Sequence, residues 1–262
     1  MCGRYASSRK PEDLVEEFEV DRVVVSAPLE PDFNVAPTKD VYAVFDRVPK
    51  QPDDQSEDQE RDKQRRLAVL RWGLVPSWAK DPSIGSRMIN ARVETLAEKP
   101  AFRRAFAKRR CLLPADGYYE WYPTSQLTKN NKPVKQPFFI RPVDGGVLAM
   151  AGLYEIWRNG SVPEEDPDAF LWTVSVITTT AEDELGHIHD RMPMLVEPGS
   201  YDAWLDPAVT ETDDLRRLLT PAAPSRLEAY PVSTEVNSVK NNGPHLVEPL
   251  AVDAGPETLF DP

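Results

Sequence analysis

The chain begins MCGR, and Cys2 is the residue in this stretch whose type could do distinctive chemistry. If Met1 is removed, Cys2 carries a free α-amine beside its thiol. The ordinary pKa values are about 7.7–8 for an α-amine and about 8.5 for a thiol, so both groups are partly deprotonated near neutral pH. Such a pair condenses with an aldehyde: the amine forms a Schiff base, and the sulfur then closes a five-membered thiazolidine ring. The four residues alone leave a second interpretation open, in which Cys2 is a buried or inert thiol.

Two further residues have side chains suited to moving protons. Glu120 lies among aromatic residues in GYYEW (residues 117–121), inside an expected strand. Burial there would raise the pKa of its carboxyl and suit it to proton transfer, although strand alternation could equally turn it to solvent. His189 opens HDRMP (residues 189–193), which we expect to form a loop before a strand. An imidazole there can shuttle protons near neutral pH.

Several arginines and tryptophans could bind a nucleic acid strand. Arg191 can hold a phosphate through two hydrogen bonds, or it can pair with a nearby carboxylate. Asn90 and Arg92 can bind a phosphate or a polar intermediate, or they can close a turn. Exposed rings stack on unpaired bases, at roughly 1–3 kcal/mol per base. Trp78 follows a Pro-Ser turn, so we expect it to be exposed, whereas most tryptophans belong to the core.

The three histidines give weak support for a metal site. His187 and His189 could share one face of a strand, but no cysteine or further histidine lies nearby at ligand spacing. A metal hydrolase built on this pair is one alternative. We expect neither a metal nor another cofactor.

Composition favours a globular protein without a membrane segment. Over 262 residues, 40% hydrophobic and 28% charged content can bury a sizeable core. No apolar run is long enough to span a bilayer, and no signal peptide is recognisable. The two cysteines form no disulfide framework, which predicts a cytoplasmic protein. Cys111 opens an apolar run and is expected in the core.

Charge is distributed unevenly along the chain. The net charge of −12 at first argues against a nucleic acid partner. Residues 64–141, however, contain 16 Lys and Arg against 5 Asp and Glu, a local balance of +11. We call residues 64–141 the basic segment. It predicts one cationic face on an otherwise acidic protein.

Hydrophobic periodicity and turn residues predict mostly strands. Helices are expected at residues 11–18, 100–110, 201–205 and 212–219. Strands are expected at residues 41–45, 67–72, 111–113, 117–122, 138–141, 147–154, 171–180, 193–196 and 227–232. Loops are expected at residues 33–38 and 123–137. Several strands follow one another without helices between them, which indicates antiparallel pairing and one α+β domain.

Two segments stand apart from this pattern. Residues 50–63 (KQPDDQSEDQERDK) contain no apolar residue and read as an exposed acidic insertion. The chain from residue 241 to residue 262 is rich in Pro and Gly and reads as a loose tail. We therefore expect a domain over residues 1–240, interrupted by the insertion at about 50–63, and a tail over 241–262.

Six motifs in order resemble the SRAP family, the SOS-response-associated peptidase domain. They are CGR at residues 2–4, NVAPT at 34–38, RWGLVPSW at 71–78, NARVET at 90–95, GYYEW at 117–121 and HDRMP at 189–193. The similarity extends to about residue 233. With the predicted elements, it leads us to expect a single α+β domain with a mostly antiparallel, barrel-like sheet flanked by short helices.

The resemblance implies a sensor of abasic sites in single-stranded DNA that ends as a thiazolidine DNA–protein crosslink. Cys2 would supply amine and thiol after loss of Met1, and Asn90 would orient this terminal cysteine. Glu120 would handle protons during sugar-ring opening and Schiff-base formation. His189 would assist proton transfer at the imine and in slow reversal.

The resemblance also implies a set of DNA contacts. The set comprises Arg4, Asn34, Pro37, Trp78, Arg87, Arg92, Trp121 and Arg191. Arg92 and Arg191, with Arg4 helping, would hold phosphates beside the lesion. Pro37, Trp78 and Trp121 would wedge or stack where the strand bends.

Other functions remain open from the sequence. Cys2, Glu120 and His189 could form a cysteine-type peptidase that removes Met1 from its own chain. Alternatively, the basic segment could bind single-stranded DNA without covalent chemistry. For the crosslinking function we expect a monomer in the cytoplasm, associated with the nucleoid.

Overall fold

The computed structural model describes residues 2–48, 63–181, 188–219 and 226–250. Met1 and His187 lie outside these ranges. So does the expected acidic insertion, apart from Lys63 at its end.

Thirteen strands and four α-helices occur in the described ranges. The strands are β1 (Tyr5–Ser7), β2 (Arg22–Val24), β3 (Asp32–Val35), β4 (Asp40–Arg47), β5 (Gln64–Trp72), β6 (Asn90–Arg92), β7 (Arg110–Ala115), β8 (Gly117–Leu127), β9 (Pro133–Pro142), β10 (Leu148–Arg158), β11 (Phe170–Thr180), β12 (Arg191–Pro193) and β13 (Leu227–Pro231). The helices are α1 (Pro11–Glu17), α2 (Arg103–Lys108), α3 (Tyr201–Leu205) and α4 (Thr212–Arg217).

Five strands close into a barrel in the order β11-β10-β7-β4-β5, with β5 returning to β11. The closing pair is parallel, with Thr173 opposite Arg71, and the other neighbours in the ring are antiparallel. All six residues of β7 are buried, because this strand has the barrel interior on one face and packed helices on the other. Closure removes the open edges that the ring strands would otherwise present.

The second sheet places the chain start against the barrel. Its order is β13-β9-β8-β1-β3, with antiparallel neighbours throughout. Tyr5 of β1 meets Trp72 of β5 edge to face, with ring centroids 5.1 Å apart. Cys2, Tyr5 and Tyr118 share one core cluster with barrel residues. The first residues of the chain are therefore fixed between the two sheets.

The expected α+β architecture with a barrel-like sheet is confirmed, and the helix expected at residues 201–205 has those bounds. The loop expected at 33–38 is wrong in its first half, because β1 pairs with residues 32–35. The loop expected at 123–137 is also wrong over most of its length. There β8 continues to Leu127 and β9 begins at Pro133, because cross-strand pairing overrides weak local propensity.

Residues 241–250, which the sequence assigns to a loose tail, are packed in the structure. Leu246 is fully buried in a cluster with Tyr119 and Phe139. The side chain of Asn242 bonds the backbone at Phe33 and Pro31. Burial of Leu246 against distant aromatic residues is not visible in the composition of this segment. Residues 251–262 lie outside the described ranges.

Candidate functional site

The chain start is anchored beside strand β8. The backbone N–H of Tyr119 donates to the carbonyl of Arg4 at 2.9 Å, and Tyr5 lies opposite Tyr118. Cys2 is fully buried. The side-chain Nδ2 of Asn90 donates to the carbonyl oxygen of Cys2 at 2.8 Å. Strand β6 thereby brings Asn90 to the chain start across 88 positions of sequence.

The thiol of Cys2 is protonated at neutral pH. Burial raises its pKa well above the ordinary value, and the nearby negative charge of Glu120 raises it further. A protonated thiol is a weak nucleophile. Chemistry at this sulfur therefore needs a neighbouring group that takes its proton.

Glu120 is such a neighbour. It is 3% exposed on β8, so the solvent-facing alternative does not hold. Burial raises the pKa of its carboxyl to about 8. The group is then mostly protonated at neutral pH but close enough to its pKa to give and take a proton.

His189 completes the pair of proton-transfer groups. Its Nε2 lies 3.9 Å from Oε2 of Glu120. The backbone N–H of Arg191 donates to Nδ1 at 3.0 Å, which leaves Nε2 facing Glu120. Burial lowers the pKa of His189, while Asp190, with Oδ1 2.9 Å from Nδ1, acts in the opposite direction.

Asn90 also holds a buried acceptor that the protein leaves open. Its Oδ1 is inaccessible to solvent and accepts no hydrogen bond from the described part of the chain. Buried polar atoms are rarely left so, because the loss of a hydrogen bond costs about 1–3 kcal/mol. The oxygen is therefore available to a donor arriving at the chain start.

Arg191, expected to hold a phosphate, is engaged by a carboxylate. Its Nη1 and Nη2 lie 2.6 and 3.1 Å from the two carboxylate oxygens of Glu94, and Nη2 also donates to the carbonyl of Thr178 at 2.7 Å. The hydrogen bond from Arg191 lowers the pKa of Glu94. This is the carboxylate-paired arrangement that the sequence had left as the alternative.

Arg87 and Arg92 differ from Arg191 in their exposure and contacts. Both are exposed, Arg87 at the end of the 3-10 turn Pro82–Arg87 and Arg92 at the end of β6. Neither guanidinium forms a hydrogen bond or an ion pair with another residue in the part of the chain that the structure describes. The 3-10 turn is held against Gly73, where φ is +129° and an added Cβ would lie 2.6 Å from the carbonyl oxygen of Gly85.

Arg4 and Asn34, also in the expected DNA-binding set, make contacts within the protein. Nη1 of Arg4 donates to Oδ1 of Asn34 at 2.6 Å and to the carbonyl of Val236 at 2.9 Å. Its guanidinium lies 5.8 Å from the ring of Trp121. Asn34 is fully buried, and its Nδ2 donates to the carbonyls of Val236, Ser238 and Asn241. The pair therefore fastens the segment after β13 to the chain start.

Three expected stacking residues differ in exposure. Trp78 is 60% exposed, which confirms the expectation; the other five tryptophans of the chain are buried or half-buried. Trp121 is half-buried and donates from Nε1 to Asn237. Pro37 is half-buried in a turn whose next residue, Thr38, has φ of +73°.

Two residues beside the site were not singled out from the sequence. Glu94 lies within the NARVET motif, four residues after Asn90. Its place in this motif is the feature of the sequence that could have identified it. The charge of Lys135 lowers the pKa values of both Glu120 and His189, so Lys135 lies near them. The sequence analysis missed Lys135 because it expected a loop at residues 123–137, whereas Lys135 belongs to β9.

Within the described ranges, no group of three or more His, Cys, Asp or Glu side chains is arranged to hold a metal ion. His187 is not among those residues. No helix in the same ranges has the length and apolar character needed to cross a bilayer.

A closed mixed barrel with a second sheet, burying a cysteine at the chain start beside Glu120 and His189, defines the class of this protein. Residues 1–239 match the family model of SOS response associated peptidases (SRAP). The chain belongs to the SRAP family, as its motifs predicted.

Relatives and solved structures agree with this assignment. The chain is 40% identical over 248 residues to the abasic site processing protein YoqW of Bacillus subtilis (strain 168), covering 95% of this chain and 99% of that protein. It is 31% identical over 262 residues to the abasic site processing protein YedK of Escherichia coli (strain K12), covering 95% and 100%. A crystal structure of a Bacteroides thetaiotaomicron protein matches with a TM-score of 0.75 at 24% identity, covering 95% and 99%, which shows the fold.

Proposed function

We propose that this protein processes abasic sites in DNA by linking its N-terminal cysteine to the sugar aldehyde in single-stranded DNA. The names of the relatives support the class of substrate. The observation that carries the chemistry is that Asn90 and Glu120 lie beside Cys2 at the buried chain start, with His189 3.9 Å from Glu120.

The reaction needs no oxidant or cofactor. Glu120 donates a proton to the ring oxygen as the bond from this oxygen to the anomeric carbon breaks, and the anomeric hydroxyl loses its proton to solvent, which leaves the open-chain aldehyde. The α-amine exposed by loss of Met1 adds to the carbonyl carbon, and loss of one water gives the Schiff base. The sulfur of Cys2 then bonds to the imine carbon while its proton passes to the nitrogen, which closes the thiazolidine.

The proton-transfer roles follow from the electrostatics of the site. With a pKa of about 8, the carboxyl of Glu120 holds a proton to donate at neutral pH. Its carboxylate form can then accept the proton of the Cys2 thiol. His189, 3.9 Å away, relays a proton between Glu120 and solvent, being 30% exposed at its side chain.

Three exposed side chains would bind the strand. Arg87 and Arg92 are free to contact phosphates, and Trp78 offers an exposed ring for a base. Arg191 would contact a phosphate when Glu94 releases it. Arg4, Asn34 and Trp121 would act by holding the shape of the cleft.

The test uses Met-free protein and a single-stranded oligonucleotide with one abasic site, with an undamaged oligonucleotide as control. After boiling in detergent, intact-mass analysis is expected to show one strand per protein, minus one water, only for the abasic oligonucleotide. Cys2→Ala should keep strand binding and lose this adduct. Cys2→Ser should form only a Schiff base, trapped by borohydride, and Cys111→Ala should behave as wild type.

Two other functions give different results. A general peptidase would release peptide fragments with turnover, whereas the crosslinking protein is consumed one to one. A non-covalent binding module would leave no mass gain, and Cys2→Ala would then change nothing. Absence of the adduct with Met-free wild-type protein would contradict the proposal.

A further inference from the structure

Strands β8 and β9 continue past the second sheet as a hairpin over residues 122–136, which we call the hairpin arm. Tyr122 pairs with Gln136, and Leu127 pairs with Pro133. Its end is a turn in which the N–H of Thr128 donates to the carbonyl of Lys132 at 2.8 Å. Except for three half-buried residues, the whole arm is exposed. A two-stranded hairpin exposed in this way adds little to the core.

The hairpin arm is purely cationic. It contains Lys129, Lys132 and Lys135 and no Asp or Glu, in a protein whose net charge is −12. All three lysines are exposed. None forms an ion pair with another residue of the described ranges. An unneutralised row of lysines on an acidic protein suits a polyanion.

The arm begins at the candidate site. Tyr122 follows Glu120 by two positions, and side chains two apart in a strand lie on the same face. Tyr122 is 37% exposed, so its ring is open to a base. Lys135 pairs with Pro123 and so lies on the other face of the arm from Tyr122, although its charge still acts on Glu120 and His189. The arm therefore extends away from the buried carboxyl with an aromatic ring at its base and lysines along its length.

We propose that the hairpin arm binds the single strand as it leaves the lesion, with Tyr122 stacking on a base and Lys129, Lys132 and Lys135 contacting phosphates. This inference rests on the proposed function, because it assumes a DNA strand in the site. Strand β8 bulges between Pro123 and Leu127, so the arm extends about 10 Å from the Tyr122–Gln136 pair to the Leu127–Pro133 pair, at roughly 3.4 Å for each of three steps along β9. The turn with Lys129 and Lys132 lies beyond the second pair. The contacts thus lie beyond the nucleotides next to the lesion.

The test is Lys129→Gln/Lys132→Gln at the end of the arm, which leaves Lys135 beside the catalytic groups. Binding of a long undamaged single strand is expected to weaken roughly tenfold at physiological salt. The slope of log affinity against log salt should become shallower by about 1.4, or about 0.7 per lost phosphate contact. An abasic oligonucleotide with only one or two flanking nucleotides should bind and crosslink as before.

Controls separate charge from structure. Lys129→Arg/Lys132→Arg should restore the wild-type slope, and Lys10→Gln, at an exposed lysine before α1, should not alter it. Tyr122→Ser should weaken long strands, whereas Tyr122→Phe should not. An unchanged salt slope in the Lys→Gln variant, or an equal loss for the short oligonucleotide, would overturn the inference.

The two proposals fail separately. If the hairpin arm variant matches wild type in every titration while abasic DNA is still crosslinked, the arm is not a binding surface and the crosslinking function stands. If Met-free wild-type protein forms no adduct but the salt slope for undamaged strands falls as expected, the arm binds DNA and the crosslinking proposal is wrong.

Discussion

Cys2 lies where its thiol alone is unreactive, since burial and Glu120 both raise the thiol pKa. This arrangement suits a condensation in which the amine reacts first and the thiol follows. The imine carbon, once formed, is the electrophile that meets the sulfur within the same residue. Proximity then assists a thiol that is not ionised until Glu120 accepts its proton. Under the proposed mechanism, this order of steps would select aldehydes over other electrophiles.

A variant at Asn90 tests whether adduct formation requires the chain start to be held in place. Asn90→Ala removes the 2.8 Å hydrogen bond to the Cys2 carbonyl and the open acceptor Oδ1. The loss of about 1–3 kcal/mol predicts adduct formation slower by roughly 5- to 150-fold. Single-turnover rates with abasic DNA measure this, with affinity for undamaged DNA as the control. Equal rates for variant and wild type would remove Asn90 from the mechanism.

Glu120 predicts a characteristic dependence of stability on pH. Its pKa is raised from 4.5 to about 8 in the folded protein, so folding favours the protonated form. The stabilising effect is complete below pH 4.5 and is lost as the pH rises toward 8. Relative to Glu120→Gln, the wild-type free energy of unfolding should fall by up to about 1.4 kcal/mol per pH unit in this window. Urea unfolding of both proteins at pH 5 and pH 8 measures the difference, and parallel pH profiles would contradict the assigned pKa.

At the scale of elements, short strands and turns determine whether each arginine of the expected DNA-binding set is paired or exposed. Strand β12 carries Arg191 and the 3-10 turn Val93–Thr95 carries Glu94, and both border strand β11. The ion pair between them occupies the guanidinium that a phosphate would need. Strand β6, pairing with β11 from Asn90 to Arg92, instead leaves Arg92 exposed at its end.

Removing the competing carboxylate should strengthen binding. Glu94→Gln breaks the ion pair with Arg191; the Glu94 side chain is 46% exposed, and ion pairs at the protein surface are worth about 0.2–1 kcal/mol. Affinity for single-stranded DNA is therefore expected to rise by up to about fivefold. Glu98→Gln removes the same charge from an exposed residue without freeing Arg191, and fluorescence titration of both variants separates the two effects. The same gain in both variants would mean that only net charge matters.

At the scale of the whole molecule, the net charge of −12 and a DNA partner are compatible because the positive charge is concentrated in the basic segment. This segment runs from β5 to β9 and includes Arg87, Arg92 and the hairpin arm. Binding through phosphates releases counterions, so affinity should fall linearly on a log–log plot against salt.

Arg92 is suited to measure this effect. Arg92→Ala should reduce the magnitude of the salt slope for undamaged single strands by about 0.7, the share of one phosphate contact. Arg22→Ala, an exposed arginine on the edge strand β2, should leave the slope unchanged. Titration of both variants at several salt concentrations is the measurement. An unchanged slope for Arg92→Ala would mean that this guanidinium does not contact phosphate.

The sequence by itself determined the family, the strand-rich α+β class, the exposed Trp78 and the residue types of the candidate site. These properties follow from local patterns: apolar periodicity, turn residues and short motifs in order. The sequence predicted a raised pKa for Glu120 only on the condition that its side chain is buried. Alternation along a strand does not show which of its two faces the rest of the protein covers.

Only the tertiary structure decided which side chains meet. It joined Asn90 to Cys2 across 88 positions and paired Arg191 with Glu94 across 97. It also extended β8 and β9 through residues expected to form a loop, since a strand is stabilised by its partner as much as by its own residues. Burial and long-range pairing depend on how the whole chain packs, and no local segment contains that information.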